Sequence, residues 1–346
     1  MGVGPCVASD VKLLITGATG FIGSRLLVEL LLRSKPLEDI FLLLRKSPDK
    51  NSLLYERLKA VSLEASFEKL QFIECDFSDP SSFRAALDGA KLRTPGPWTL
   101  CHLAALIKAK GDRGLQRRLN QGVTEDLGHW ATKQKAHFIF MSSVVAFGGA
   151  FSKQPRTEKD FSKLSFLNKF FSYYSSKRLA HEALWKRRAE FPVSILCPGI
   201  VHGALEDRKD SRSHIRALLK GTLPFAPPGG GNFISLDKVV GSILEEIDRN
   251  VSPEGHLRLL VDENMDFHKY FQLLSTKYSK RPRKIYRLPF LFVFMSSPFL
   301  FFATLLGLAP AEALLQASMF LYFESSEPIS KGLSVGPALD EAFGKK

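Results

Sequence analysis

The chain has 346 residues, an ordinary globular composition (45% hydrophobic, 24% charged) and a formal net charge of +13. That length holds a large core and two lobes, and the composition excludes a low-complexity or disordered chain. A basic surface suits nucleotide phosphates, acidic lipids or nucleic acid, with solubility the expected role of most of the charge; no zinc-finger spacing or basic helix points to nucleic acid.

Strand-like runs at residues 13–15, 40–44, 70–74, 99–103, 137–141 and 193–196 alternate with helical patterns at 21–34, 51–67, 81–87, 114–135 and 174–190. The alternation predicts an α/β fold, a doubly wound parallel sheet with helices on both faces. Ligands of such a sheet bind beyond the carboxyl ends of its strands.

The first strand breaks into Thr16-Gly17-Ala18-Thr19-Gly20-Phe21-Ile22-Gly23, three glycines spaced three apart, and then into an apolar helix. Gly17 suits the tight turn, Gly20 lets backbone N–H groups approach a pyrophosphate, and Gly23 lets the helix pack on the strand. The helix N-terminus then faces the phosphates with its positive end. A dinucleotide is expected here, held by Gly17, Thr19, Gly20, Phe21, Ile22 and Gly23. The second strand ends in Arg45-Lys46, where a site for NAD usually carries an acid. Arg45 is placed to clamp the 2′-phosphate of NADP, so NADP is expected over NAD; an ordinary solvated loop is the alternative. Asp76 and Phe77, after the third strand, are expected over the adenine, unless Asp76 is only a turn residue. Leu103, Ala104 and Ala105, after the fourth, supply small residues where backbone approaches the cofactor.

The fifth strand ends in Ser142-Ser143, and Tyr173 and Lys177 follow on a helix, four residues apart and so on one face. A phenol is a poor acid or base at neutral pH, but an ammonium and a nicotinamide cation both favour the phenolate and lower its pKa. Ser143 is then expected to hydrogen-bond the substrate oxygen while Tyr173 exchanges its proton. Tyr174 is the competing phenol, but its i+4 neighbour is Arg178, which cannot share a proton.

Together with Cys197-Pro198-Gly199-Ile200-Val201-His202-Gly203, these motifs resemble the extended short-chain dehydrogenase/reductase superfamily over about residues 10–345. The resemblance implies a Rossmann domain over about residues 10–200, with later segments returning to it, and a smaller C-terminal substrate lobe over 201–346. It implies Tyr173 as proton donor or acceptor, Lys177 also on the nicotinamide ribose, and Ser143 polarising the substrate. It places Pro198, Ile200 and Val201 beside the nicotinamide. Asn120 matches the family's helix Asn, with a local structural job expected. Sugar-nucleotide dehydratases carry an acid pair where this chain has Val144-Val145, and epimerases usually carry Asn where it has Pro198-Gly199. The Pro-Gly form is similar to 3β-hydroxysteroid dehydrogenases and dihydroflavonol reductases. The resemblance thus implies hydride transfer between a nicotinamide and a hydrophobic secondary alcohol or ketone, sterol-like or lipid-like. A sugar-nucleotide epimerase and a non-catalytic NAD(P)-binding regulator are the alternatives, and a homodimer is one expectation for such a chain.

Residues 227–232 read as a loop, and 233–240 resemble the family's short strand and the start of its next helix, with Asp237 a helix N-terminal acid. Residues 288–311 carry no charge, six phenylalanines and three prolines, behind Arg281, Arg283, Lys284 and Arg287. The apolar segment 288–323 suits peripheral membrane contact, a short span, or an oily substrate lobe; Pro298 argues against a straight span. Phe161, Phe166, Phe170 and Phe171 are expected to add aromatic surface near Tyr173. Cys6, Cys75, Cys101 and Cys197 lack metal-site spacing and read as buried thiols of a reducing compartment, and no metal is expected. No basic region followed by an apolar run opens the chain, so no secretory signal is expected and the cytoplasm is the expected location, with membrane association left open. Cys6 stands where a myristoylation motif places Ser or Thr, which disfavours that lipid.

Overall fold

Strand β1 (Lys12–Thr16) is apolar on both faces: Leu13 and Ile15 pack to one side of the sheet and Leu14 to the other, all fully buried. The computed structural model describes residues 11–107, 112–162, 171–205, 213–249, 254–305 and 309–344; Cys6, Phe166 and Phe170 fall outside them. The remaining strands are β2 (Ile40–Leu44), β3 (Gln71–Glu74), β4 (Trp98–His102), β5 (His137–Met141), β6 (Val193–Pro198), β7 (Ile200–His202), β8 (Phe225–Ala226), β9 (Gly230–Ser235), β10 (His256–Leu260), β11 (Glu263–Asp266) and β12 (Tyr286–Arg287). The helices are α1 (Phe21–Leu32), α2 (Leu53–Lys59), α3 (Pro80–Leu87), α4 (Arg113–Arg117), α5 (Val123–Gln134), α6 (Ser172–Lys186), α7 (Ser213–Leu219), α8 (Leu236–Ile247), α9 (Phe267–Tyr278), α10 (Phe290–Leu305), α11 (Ala309–Gln316) and α12 (Val335–Phe343).

Seven strands form one parallel sheet in the order β10-β6-β5-β4-β1-β2-β3. Alternate residues separate its two faces, as the period of two requires. Leu13, Ile15, Leu42, Ile139 and Leu196 meet Leu26, Leu30, Leu54, Val239 and Ile243 of α1, α2 and α8. Leu14, Phe41, Leu43, Phe138, Phe140 and Ile195 meet Phe83, Leu127, Trp130, Ala180 and Leu184 of α3, α5 and α6. Both faces are covered, so the sheet strands read as continuous apolar runs. Strand order reverses between β1 and β4, and a crevice for ligand opens at that switch.

Local chemistry starts the helices as expected. Ser52 accepts from Tyr55 N to cap α2, Asp79 accepts from Ser81 N with Pro80 at the first turn of α3, and Ser235 accepts from Lys238 N to cap α8. Asp237 lies in the first turn of α8 and also meets Arg25 at 3.3 Å. Two predicted helices are broken. The 51–67 pattern splits into α2 and a 3₁₀ turn over Glu64–Lys69, with Ser62 at φ 59° between them. The 114–135 pattern contains a π-helical stretch, Arg118–Gly122, between α4 and α5.

Strand β10 gave no sequence signal, because Arg258 interrupts its apolar run. That guanidinium is buried and donates to Glu245 at 2.9 Å, so the fold supplies the carboxylate that a strand pattern does not show. Beyond β6 a second core gathers Phe233, Tyr270, Phe271, Leu274, Ile285 and Leu339 around the sheet β11-β9-β7. The 288–323 segment is three pieces rather than one. α10 carries Pro298 inside it, α11 follows, and Met319 to Phe323 run extended and buried beside Ala150, Arg156 and Gly230. Among the described residues no helix is long and apolar enough to cross a membrane. Cys75, Cys101 and Cys197 are buried and unbridged, and burial pushes each thiol up to about 12.

A polar cluster closes the β10 edge. Glu246, fully buried, accepts from Ser194 Oγ at 2.8 Å and meets His256 Nδ1 at 3.0 Å, while Glu327 meets His256 Nε2 at 2.9 Å. The bond to Glu246 raises the imidazole pKa against the opposing effect of burial. Burial works against the Glu246 carboxylate, but the bonds from His256 and Ser194 lower it below the ordinary range. A raised His stabilises below its unfolded value and loses that as pH rises through its folded value; a lowered Glu does the reverse on the acid side. The pair therefore contributes fully between about pH 4.3 and about pH 6.5. Thermal unfolding at about pH 6 and about pH 8.5 is expected to show a loss of stability for the wild type that shrinks in Glu246→Gln.

Candidate active site

The turn after β1 meets the loop after β4 at the strand-order switch. Gly17 sits at φ 75°, and a Cβ there would lie 2.7 Å from Ala104 N and 2.9 Å from its Cα. A Cβ on Gly23 would lie 2.2 Å from Gly17 O, so α1 packs directly on the turn. Gly20 differs: a Cβ there meets only Gly17 O, at 3.1 Å, and the position is exposed. Gly20 is also the N-cap of α1 and no side chain caps that helix. Its first-turn N–H groups thus face an open side, the arrangement that receives a phosphate. Thr19 and Ile22 are half-buried beside it; the half-buried Phe21 ring lies under the Arg57 guanidinium at 5.2 Å.

At the end of β2, Arg45 is exposed and close enough to Asp76 to lower that carboxyl. The larger cause at Asp76 is its own turn, in which it accepts from Ser78 Oγ at 2.6 Å and Ser78 N at 2.8 Å. Phe77 is buried against Phe83, ring centroids 4.9 Å apart, so its ring is not offered to an adenine. Sequence alone shows no acid beside Arg45, but parallel pairing sets Glu74 of β3 opposite Leu44, and Glu74 accepts from Ser47 N at 2.7 Å. Leu103 and Ala104 are half-buried and Ala105 is exposed. Pro198 is buried, Val201 packs into the main-sheet core, and Ile200 is half-buried against the second core.

Ser143 follows β5 directly. Its hydroxyl donates to Pro198 O at 3.4 Å and accepts from Val145 N at 3.3 Å, which ties the ends of β5 and β6 together. Lys177 is buried; its Nζ donates to Met141 O at 2.9 Å and lies 5.0 Å over the Phe140 ring. Burial lowers its pKa to about 8. Tyr173 is half-buried against the core cluster that includes Tyr174 and Phe147, and burial pushes its phenol up to about 12. That rise runs against the lowering expected from Lys177 and a nicotinamide cation together. The ammonium is anchored on the Met141 carbonyl and desolvation decides the phenol's value. Tyr174 is sealed in the core, edge-on to Phe171, and burial raises its pKa further still.

Of the phenylalanines expected near Tyr173, two lie among the described residues: Phe161 is half-buried and stacks on the buried His181 at 4.0 Å, and Phe171 is buried against Tyr174.

His102, Thr124 and Ser176, which sequence reasoning missed, join these parts together with Asn120, for which a local structural job was expected. Thr124 Oγ donates its proton to Asn120 O at 2.6 Å, so at 3.0 Å it accepts from His102 Nε2–H. His102 Nδ1 then accepts from Thr16 Oγ at 2.6 Å, and Thr16 Oγ accepts from Ala104 N at 3.3 Å. Burial, with a smaller effect of Lys177, holds His102 near 3 and therefore neutral. Asn120, inside the π-helical stretch, accepts from Leu106 N at 2.7 Å and donates to Leu106 O at 2.9 Å and Ser176 Oγ at 3.0 Å. One polar chain thus runs from the glycine turn to the helix of Tyr173 and Lys177. The only advance signal was a His and a Thr inside otherwise apolar elements, which is also the signature of a satisfied core residue.

A glycine turn at a strand-order switch and a Ser, Tyr and Lys beyond β5 define a dinucleotide-dependent enzyme class, the extended short-chain dehydrogenase/reductase type. The chain belongs to the NAD dependent epimerase/dehydratase family, whose profile matches residues 13–232. Among solved structures it is similar to gox2253, at 21% identity over 96% of this chain and 92% of that one, TM-score 0.67. It is similar to the dTDP-glucose 4,6-dehydratase DesIV of Streptomyces venezuelae, solved with NAD and DAU bound, at 14% identity over 96% and 95%, TM-score 0.68. It is also similar to the terminal R domain of the myxalamid biosynthetic pathway, at 20% identity over 97% and 86%, TM-score 0.63. No curated protein sequence matches it.

Replacing Asn120 by Ala is expected to leave the half-buried Leu106 amide without its partner, while Leu106 O keeps Gln116 Nε2 at 3.2 Å, at a cost of about 1–3 kcal/mol. A melting temperature within a degree or so of wild type would show that these bonds carry no stability.

Proposed function

We propose that this chain is an NADP-preferring oxidoreductase that transfers hydride between the nicotinamide and a hydrophobic secondary alcohol or ketone. The observation that carries the proposal is the placement of Ser143 and Lys177 at the carboxyl end of β5, with Tyr173 one helical turn before Lys177. The glycine turn fits the cofactor, because the uncapped N-terminus of α1 and the open side of Gly20 accept a pyrophosphate. Bound nicotinamide supplies or takes the hydride.

The chain's own residues manage the oxygen and its proton. A phenol held near 12 stays protonated at neutral pH, so Tyr173 is a hydrogen-bond and proton donor to a carbonyl oxygen. Ser143, fixed between β5 and β6, orients the same oxygen. Lys177, still largely charged at neutral pH, supplies a positive field that stabilises the phenolate left behind. Dehydration, the reaction in the name of the DesIV neighbour, has little support here, since the residue after Ser143 is Val144, buried and without a proton to exchange. Arg45, exposed beyond β2, supports the NADP preference, and Glu74 beside it is engaged by the Ser47 amide.

Tyr173→Phe is expected to cut NADPH-dependent ketone reduction by about a thousandfold while NADPH binding stays within about twofold. Turnover near the wild-type rate would remove Tyr173 from the mechanism. Arg45→Asp is expected to raise the NADPH KM by about tenfold or more and shift preference toward NADH; an unchanged ratio would take Arg45 out of the cofactor site.

A further inference from the structure

We propose that α10 and the basic strand before it form a docking surface for an anionic lipid bilayer. This goes beyond the redox proposal and does not depend on it. Residues 280–287 hold five cations, Lys280, Arg281, Arg283, Lys284 and Arg287, and no acid. All five are exposed. Strand β12 ends this run at Arg287, and α10 starts at Phe290.

α10 packs on the body at Val293, 2% exposed, and turns several large apolar side chains outward. Phe292, Met295, Phe299 and Phe302 recur at helical spacing and are between 60% and 73% exposed. The face continues beyond the helix: Phe151, itself exposed, lies edge-on to Phe290 at 5.9 Å, and exposed Tyr286 and Phe225 meet at 6.2 Å beside the cations. An unbroken apolar patch of this kind marks a contact surface.

Charge decides what covers it. A second copy of this chain carries the same +13 and the same basic strip, so a two-fold contact across this face opposes like charges. An anionic bilayer satisfies both halves of the surface, with cations in the headgroup layer and aromatic side chains at the acyl boundary. The helix has 16 residues with Pro298 inside, too short and too interrupted to span, so it lies in the interface. α11 connects this face to the catalytic helix, with Glu312 accepting from Ser172 N at 3.2 Å, immediately before Tyr173.

Co-sedimentation of the full chain with vesicles tests the proposal. Phosphatidylcholine vesicles carrying about 30% phosphatidylserine are expected to bind about tenfold more tightly than phosphatidylcholine alone, and added salt is expected to weaken that binding. The triple variant Phe292→Ser, Met295→Ser, Phe299→Ser is expected to lose at least about tenfold in binding to the anionic vesicles, with its circular dichroism unchanged. The double variant Arg281→Glu, Arg283→Glu is expected to lose the preference for anionic lipid. Three results each overturn the proposal: a folded wild type that binds neither vesicle, binding unchanged by both variants, or a dimer in sedimentation equilibrium that the triple variant dissolves.

Discussion

The contact on which everything else rests is between two backbones. The turn at Gly17 and the loop at Ala104 approach so closely that a single added carbon at Gly17 would lie 2.7 Å from the Ala104 amide. Only a residue without a side chain, and tolerant of φ 75°, allows it. Gly23 lets α1 settle on the same turn. Together they bring the ends of β1 and β4 and the N-terminus of α1 to one crevice, where the connections that follow these two parallel strands depart in opposite directions. Any loosening there would move the phosphate-facing amides and the loop behind them together.

Burial beyond that crevice shapes the chemistry more than charge does. Desolvation alone raises the Tyr173 phenol, and it lowers Lys177 and His102. The result is a protonated phenol above a lysine that keeps most of its charge and a histidine that keeps none. His102 is thereby free to act as a neutral link, donating on one side and accepting on the other. The chain of Thr16, His102, Thr124, Asn120 and Ser176 couples the glycine turn to α6 without placing a net charge in the core. The break in α-helical geometry at Arg118–Gly122 sets Asn120 where it reaches both Leu106 and Ser176.

The outside of the molecule is divided in the same way. The parallel sheet has both faces covered and needs no further partner, whereas α10 is only half covered. Val293 packs it onto the body, and Phe292, Met295, Phe299 and Phe302 stay exposed. Beside it the chain concentrates cations that the second core does not need. Glu312 of α11, the helix after α10, accepts from Ser172 N at 3.2 Å and so ties this side of the molecule to the start of α6.

The amino-acid sequence by itself determined what depends on neighbours along the chain. The runs at 40–44 and 137–141 are strands with the boundaries their apolar patterns indicate, and the glycine spacing of the first turn names its own geometry. Ser143, Tyr173 and Lys177 were visible because a strand end and an i, i+4 pair are local patterns. The tertiary structure decided what depends on residues far apart. Strand β10 pairs with β6 although it carries Arg258, whose guanidinium meets Glu245, Glu74 reaches the end of β2 through strand pairing, and Phe161 stacks on His181. The Tyr173 phenol belongs to the same group, since its proton affinity is set by how much water the folded chain removes. Periodicity and spacing are properties of a segment; desolvation and long-range pairing belong to the whole fold, and no segment carries them alone.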